Sequence, residues 1–262
     1  MALNDVKEIT VPVNGTDKAV RKIEDSNGNI IWGSASAFPY RVLEYIDIPA
    51  AAYIDTNSQG NSRTGLKLEI DFNPDGESSE IAGNLFGAIY YNGSTYYRYH
   101  LSPNSTGLLQ VWYGTGNNAY KNADLYSTTT GKHVIELNSH SANDNKLYVD
   151  GVDKGTYSTP STTNTGLLYV GARRFNNNGT VTINNYSRKI RVYYLEIMGS
   201  NIGTDPNDTS KCYPVQRKSD GKVGLFKIWN NGQAVRFCTS ETSTECIAGP
   251  TVNEYYTGTE WL

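Results

Sequence analysis

From Phe38 onward the chain is a succession of short runs in which apolar and polar residues alternate, broken by clusters of Gly, Asn, Ser and Thr. Alternation with a period of two places successive side chains on opposite faces of an extended backbone, so each run reads as a half-buried strand. The runs fall at residues 41–48, 66–72, 86–91, 95–101, 108–113, 132–138, 146–149, 167–170, 189–198, 222–229 and 234–237. Helical periodicity is missing between them, which excludes a parallel sheet, because parallel neighbours need long crossover connections. The expectation is an all-β antiparallel sandwich of the jelly-roll kind. Asp150-Gly151, between Lys146-Leu147-Tyr148-Val149 and Val152-Asp153-Lys154, is the strongest hairpin signal, since this pair tolerates the positive φ angles of a type I′ turn.

The first residues follow another pattern. Residues 6–13 alternate and turn at Asn14-Gly15, residues 19–25 follow, and a second turn at 26–29 leads to Ile30-Ile31-Trp32-Gly33. This hairpin-like piece is too small to bury Ile30, Ile31 and Trp32 by itself, and apolar residues without a core of their own usually pack on a partner. Those three residues are therefore the candidate anchor. Ser34-Ala35-Ser36-Ala37 reads as a linker, so the chain divides into an attachment segment, 1–38, and a sandwich, 39–262.

Composition narrows the function. Only 19% of residues are charged, so the surface is polar through Asn, Ser, Thr, Gly and Tyr, which suits strands and turns. With 23 Lys and Arg against 26 Asp and Glu, the net charge of −3 argues against nucleic acid, which requires a basic stripe. Arg173-Arg174 and the run from Arg188 to Arg191 read as solvated strand ends, with an anion or acidic-sugar site as the alternative. The start, MALNDVKEIT, has no apolar run behind a basic segment, and no stretch is apolar enough to span a bilayer. Synthesis in a cytoplasm and no membrane insertion are expected. Three cysteines, Cys212, Cys238 and Cys246, lack CxxC spacing. Cys238 and Cys246 could meet across a turn, and reduced thiols fit the count better than a zinc or redox site.

The search for catalytic chemistry finds little. His100, His133 and His140 belong to no metal or nucleophile motif. Glu69-Ile70-Asp71-Phe72-Asn73 resembles the E-I-D-x-E strand of jelly-roll β-glucanases, with Glu69, Asp71 and residue 73 on one face. Retaining hydrolysis needs two carboxyl groups, and Asn73 cannot protonate a leaving sugar. The expectation is a binding protein rather than an enzyme, with a glycan-degrading enzyme as the weakest alternative. No cofactor or metal is expected, while a structural calcium held by Asp71, Asp75 and backbone carbonyls stays open.

Sugar binding requires aromatic faces beside amide or carboxylate groups. Two stretches supply them: the Tyr-dense hairpin 90–99, and 111–120, where an aromatic strand opens into an amide-rich loop. Tyr96, Tyr97, Trp112, Tyr113 and Asn117 are the candidate glycan contacts. The competing reading is that these tyrosines cover the sheet or a subunit interface.

Several segments also resemble a known family. Tyr45-Ile46-Asp47-Ile48-Pro49 with Ala52-Tyr53-Ile54-Asp55-Thr56 is similar to the opening of concanavalin A-like (laminin G-like) domains in tailed-phage virion proteins. Leu68-Glu69-Ile70-Asp71-Phe72, Asn84-Leu85-Phe86-Gly87-Ala88, Leu168-Tyr169-Val170-Gly171-Ala172 and Arg191-Val192-Tyr193-Tyr194-Leu195-Glu196-Ile197 continue the likeness. Its most specific part is Pro214-Val215-Gln216-Arg217-Lys218-Ser219-Asp220-Gly221 followed by Val223-Gly224-Leu225-Phe226, although Phe226-Lys227 stands where the family has Tyr-Asp. The resemblance spans about residues 40–252 and implies a virion surface protein, a head or tail fibre, that attaches through its N-terminus. It further implies a homotrimer bound to other virion proteins and a lectin-like sandwich facing host-surface polysaccharide. Decoration of capsid or tail without carbohydrate binding is the alternative.

Overall fold

The computed structural model describes residues 9–13, 16–20, 22–24, 30–33, 39–60, 64–79, 83–115, 119–138, 145–157, 166–199, 209–229 and 235–252. The N-terminal strands are β1 (Ile9–Val13), β2 (Thr16–Val20), β3 (Lys22–Glu24) and β4 (Ile30–Gly33). They are followed by β5 (Tyr40–Val42), β6 (Ile46–Ile48), β7 (Ile54–Gly60), β8 (Gly65–Asp71), β9 (Phe86–Tyr91), β10 (Tyr96–Pro103), β11 (Leu108–Thr115), β12 (Tyr120–Tyr126) and β13 (His133–Asn138). The remainder are β14 (Lys146–Val149), β15 (Val152–Thr156), β16 (Gly166–Val170), β17 (Ala172–Asn177), β18 (Thr180–Asn185), β19 (Ile190–Met198), β20 (Thr209–Arg217), β21 (Val223–Trp229), β22 (Val235–Thr239) and β23 (Ile247–Ala248). The protein is all-β, as the alternation implies, and no helix among the described residues is long and apolar enough to cross a membrane.

Among the described residues, the first four strands pair only with one another, β1 with β2 and β3 with β4, both antiparallel. The backbone of Ile30, Ile31 and Trp32 thus lies in β4, while their side chains fall outside the described residues. From Tyr40 onward two sheets form a sandwich. One runs β15-β14-β13-β8-β19-β20-β21-β22, with β5 on β20, and with β6 between β19 and β23. The other runs β12-β11-β10-β9-β16-β7 and forks at β9. Along the free edge of β9, Phe86 and Gly87 pair antiparallel with β16, whereas Ala88 to Tyr91 pair parallel with β17, which carries β18 beyond it. The chain reverses at Gly171 to make this possible.

Alternation decides what lies between the sheets. Leu66, Leu68 and Ile70 of β8 face inward and meet Phe86, Ala88, Tyr99, Leu101, Leu109 and Val111 of the other sheet in one apolar cluster. Removing such surface from water is worth about 25 cal/mol per Å², so each inward Leu or Ile contributes on the order of 2 kcal/mol. Buried tyrosines bring hydroxyls into this core and satisfy them on backbone carbonyls: Tyr99 donates to Thr64 at 3.0 Å and Tyr157 to Val111 at 2.7 Å. All three cysteines are buried free thiols.

The structure departs from the sequence expectation in several elements. The run 41–48 is two strands, β5 and β6, separated where Leu43 bridges to Thr251. Strands β7, β12, β17, β18 and β20 were not signalled by alternation. β20 holds Pro214 between Cys212, whose neighbour is β19, and Val215, whose neighbour is β5. A proline's missing donor is tolerated at such a changeover.

Candidate binding groove

The outward residues of β9, β10, β11 and β17 form a groove on the solvent face of the forked sheet. It has a volume of about 430 Å³ and is lined by Ile89, Tyr96, Arg98, His100, Ser102, Pro103, Asn104, Gln110, Trp112, Arg173 and Phe175. Apart from the run Ser102-Pro103-Asn104 at the end of β10, the lining residues of a strand are alternate ones. On β10, Tyr96, Arg98, His100 and Ser102 face out while Tyr99 and Leu101 belong to the core, and on β11 Gln110 and Trp112 face out while Leu109, Val111 and Tyr113 face in. β17 delivers Arg173 and Phe175 because its parallel pairing puts Phe175 opposite Ile89.

The aromatic side chains are locked against one another. Trp112 stacks on His100, with centroids 5.5 Å apart and planes 7° from parallel, and meets Tyr120 at 4.7 Å. Tyr96 stacks on Tyr91 at 4.4 Å and on Phe175 at 6.4 Å. The Arg98 guanidinium lies 4.7 Å from the Tyr96 ring and 5.0 Å from the Trp112 ring, so it is held by two aromatic faces. These contacts fix rotamers before any ligand arrives, which lowers the ordering cost of binding.

The floor is electrostatically unusual. His100 is 5% exposed, and its Nδ1 is buried with no hydrogen-bond partner. Burial, reinforced by Arg173 and Arg98, pushes its pKa well below the ordinary imidazole value, so the ring is neutral at pH 7. Arg173 has a buried, unpaired Nε, and burial followed by repulsion from Arg98 pushes its pKa down to about 10, which leaves it charged at neutral pH. No Asp or Glu is among the residues that line the groove.

Gly87 sits opposite His100 and keeps this floor in place. Its φ is 113°, and a Cβ there would run into the Tyr99 carbonyl oxygen and stand 2.5 Å from His100 Cα. Backbone on both sides of the collision leaves no soft direction for relief. Gly87→Ala is expected to destabilise the protein by about 3 kcal/mol, read as a lower urea midpoint; an unchanged midpoint would mean that β9 and β10 can part locally.

Of the five residues expected to touch a glycan, the structure brings Tyr96 and Trp112 together in the groove. Tyr97 lies on the opposite side of β10, stacked on Tyr90 at 6.0 Å. Tyr113 is fully buried, edge-on to Tyr99 and Tyr157 at 5.5 Å each, and cannot reach a surface ligand. Asn117 lies outside the described residues. Arg98, His100, Gln110 and Arg173 were not foreseen as site residues. Nor are the arginines solvated strand ends: Arg173 lines the groove, and Arg188 is buried, with its guanidinium on the Ser79 carbonyl and hydroxyl and an ion pair to Glu77 at 3.0 Å. Arg191 grips Asp47 at 2.7 and 3.1 Å.

The Glu69–Asp71–Asn73 face is no groove. Glu69 pairs with Lys132 at 3.1 Å, and Asp71 accepts from the Asn73 amide at 3.0 Å. Asn73 pins a loop, donating to the Glu77 and Thr128 carbonyls at 3.0 and 2.8 Å. Asp75 is engaged by Lys189 at 2.6 Å. Among the described residues no three His, Cys, Asp or Glu side chains converge as metal ligands. His133 bonds Asp150 at 2.8 Å beside the β14–β15 turn, and His140 lies outside the described residues.

No protein-family model, curated protein or solved structure matches the chain.

Proposed function

We propose that the chain is a non-enzymatic virion surface protein, a head or tail fibre, whose sandwich binds host-surface glycan through the groove between β9, β10, β11 and β17. The observation that carries this reading is the pre-stacked Trp112–His100 pair beside Gln110, Ser102 and Asn104 in a 430 Å³ groove. A pyranose presents a weakly apolar face and a ring of hydroxyls, and the groove offers an aromatic face with amide and hydroxyl partners around it. The virion context is supported by the sequence resemblance and by the separate N-terminal strands, with Ile30, Ile31 and Trp32 as the attachment residues. In this reading the chain is a homotrimer held to other virion proteins, made in the bacterial cytoplasm and carried on the particle surface. Weak single-site affinity would be raised by several copies per particle.

The test is binding of the full-length chain to intact bacteria and to their purified surface polysaccharide. Trp112→Ala is expected to weaken binding about 10-fold or more by removing the stacking face. Val152→Ala, on an exposed position of the other sheet, should leave it unchanged. Equal binding by both variants would remove the groove from the function. Absence of binding by the unaltered chain would leave the decoration reading, in which the sandwich covers the particle without touching sugar.

A further inference from the structure

β18 pairs with β17 on one side, and its other edge has no hydrogen-bonded neighbour among the described residues. Asn178-Gly179 closes the β17–β18 hairpin, with φ angles of 45° and 100°. A two-residue turn of this kind makes its flanking residues, here Asn177 and Thr180, a hydrogen-bonded pair. Alternation along an antiparallel ladder then directs the backbone of Thr180, Thr182 and Asn184 to β17. It turns the N–H and C=O of Val181 and Ile183 toward the open edge. Those groups have no partner among the described residues, and Val181 is 43% exposed.

An open edge is a template for another strand, and proteins guard such edges with charge, proline or a bulge. The strands that end the two sheets carry charge: Asp55 on β7, Lys121 and Asp124 on β12, Asp153 and Lys154 on β15, and Arg236 on β22. β18 reads Thr-Val-Thr-Ile-Asn-Asn, without charge, proline or glycine, and follows β17 in unbroken register. We propose that β18 is a self-pairing edge, joined antiparallel to the β18 of a second copy of this chain about a two-fold axis at Thr182.

The choice of a second copy follows from the order of residues. On either side of Thr182 stands a β-branched apolar residue, Val181 or Ile183, and beyond it an uncharged polar one, Thr180 or Asn184. Reversed, the strand presents the same kinds of residue in the same order, which is the self-complementarity that a two-fold contact requires. Val181 then lies opposite Ile183 of the second copy, and the outward N–H and C=O groups of both strands form about four inter-chain bonds. The β-branched side chains meet on one face and Thr182 meets its counterpart on the other. Thr182 shares a face with Phe175, its neighbour on β17, so both grooves open on the same side of the joined sheet. The two β10 strands stand about seven strand spacings, or 34 Å, apart. One pair could thus engage a surface at two points. A two-fold contact joins units in pairs and cannot close a trimer, so it is additional to the trimeric association proposed above.

The test is sedimentation velocity of the full chain and of Val181→Lys, which places a charge on the edge. The parental chain should form a species of about twice the mass of the Val181→Lys species or more, whatever unit the rest of the chain builds. Cysteine substitutions check the register and serve if lysine disturbs the hairpin. Thr182→Cys puts two thiols across the axis, in a pair whose Cα atoms approach to about 4.5 Å, within disulfide reach. Thr180→Cys leaves its two thiols about 14 Å apart along the strands. Diamide, which takes up the two thiol hydrogens, should link Thr182→Cys chains about 10-fold faster than Thr180→Cys chains. The native cysteines are buried. Equal masses, or linking no faster at 182 than at 180, would overturn the inference. Neither readout involves a sugar, so the glycan reading stands or falls separately.

Discussion

Lys227→Ala is expected to lower the stability of the fold by about 4 kcal/mol, the largest effect of any single substitution considered for this protein. Lys227 is 0% exposed, an extreme position for a lysine. Its Nζ donates to the Thr56 carbonyl at 2.9 Å, the Asn57 carbonyl at 3.2 Å and the Ser58 hydroxyl at 2.6 Å. Successive carbonyls in a regular strand point opposite ways, so two neighbours can serve one ammonium only where the strand is irregular. Asn57 provides the irregularity with a φ of 51°, at a register shift between β7 and β16. Alanine would remove the aliphatic stem, open a cavity and leave three oxygens without their donor. Lys227→Met separates these contributions, because it keeps most of the volume, loses the bonds and also relieves the cost of burying a charge. We expect a loss of about 2 kcal/mol for Met by urea denaturation. A methionine variant as stable as the parent would mean that the ammonium brings no net stability and the stem alone matters.

Stability should also fall steeply in mild alkali. Burial pushes the thiol of Cys212 from 9.0 up to about 12, that of Cys238 to about 11 and that of Cys246 to about 12. A thiol whose folded pKa lies above its unfolded value keeps the folded state fully favoured below about pH 9 and loses that advantage as pH rises toward 11–12. At pH 10 the unfolded chain has gained about one pH unit of ionisation free energy at each thiol, which amounts to about 4 kcal/mol for the three together. Lys227 acts in the opposite sense. Burial depresses its pKa, so the unfolded chain binds more protons up to about 10.5, and folding gains as pH rises through that window. One lysine cannot offset three thiols. Urea midpoints should therefore decline from pH 8 to pH 10, and a Cys212→Ala, Cys238→Ala, Cys246→Ala chain should decline less, the remainder coming from buried tyrosines such as Tyr99 and Tyr186, whose pKa values burial also raises. An equally steep decline in the triple variant would assign the effect to tyrosines instead.

How much of this was legible in the sequence depends on what each strand buries. β8 and β14 bury apolar residues at every second position, and β19 does so on either side of a bulge between Val192 and Leu195, so alternation locates them. Asp150 and Gly151 have φ angles of 52° and 78°, as the hairpin dipeptide implied. β7 escaped because its inward residues include Thr56, whose hydroxyl donates to the Leu168 carbonyl, and Ser58, whose hydroxyl accepts from Lys227, and such polar side chains look from the sequence like a loop. β17 and β18 had a readable signal in Asn178-Gly179, whose φ angles of 45° and 100° make another such turn. The groove was half legible. Aromatic density pointed to the right hairpin, but neighbours on a strand face opposite ways, so naming Trp112 together with Tyr113 guaranteed that one would be internal. Which one follows from the set it shares: Leu109 and Val111 mark the inner face of β11. Arg173 was beyond reach, because β17 joins the groove through a parallel pairing with β9 between segments distant in sequence, and no local pattern encodes it.

On β9, β10 and β11 the groove and the core are written in alternate letters. Tyr96, Arg98 and His100 can be exchanged without altering Tyr99 and Leu101, and Trp112 without altering Val111. A lineage under pressure from changing partners could thus revise what the protein recognises while inheriting its architecture intact. The same separation makes the outward positions of β10, β11 and β17 a natural set to randomise when redirecting the molecule to a new target, with Gly87 alone held fixed.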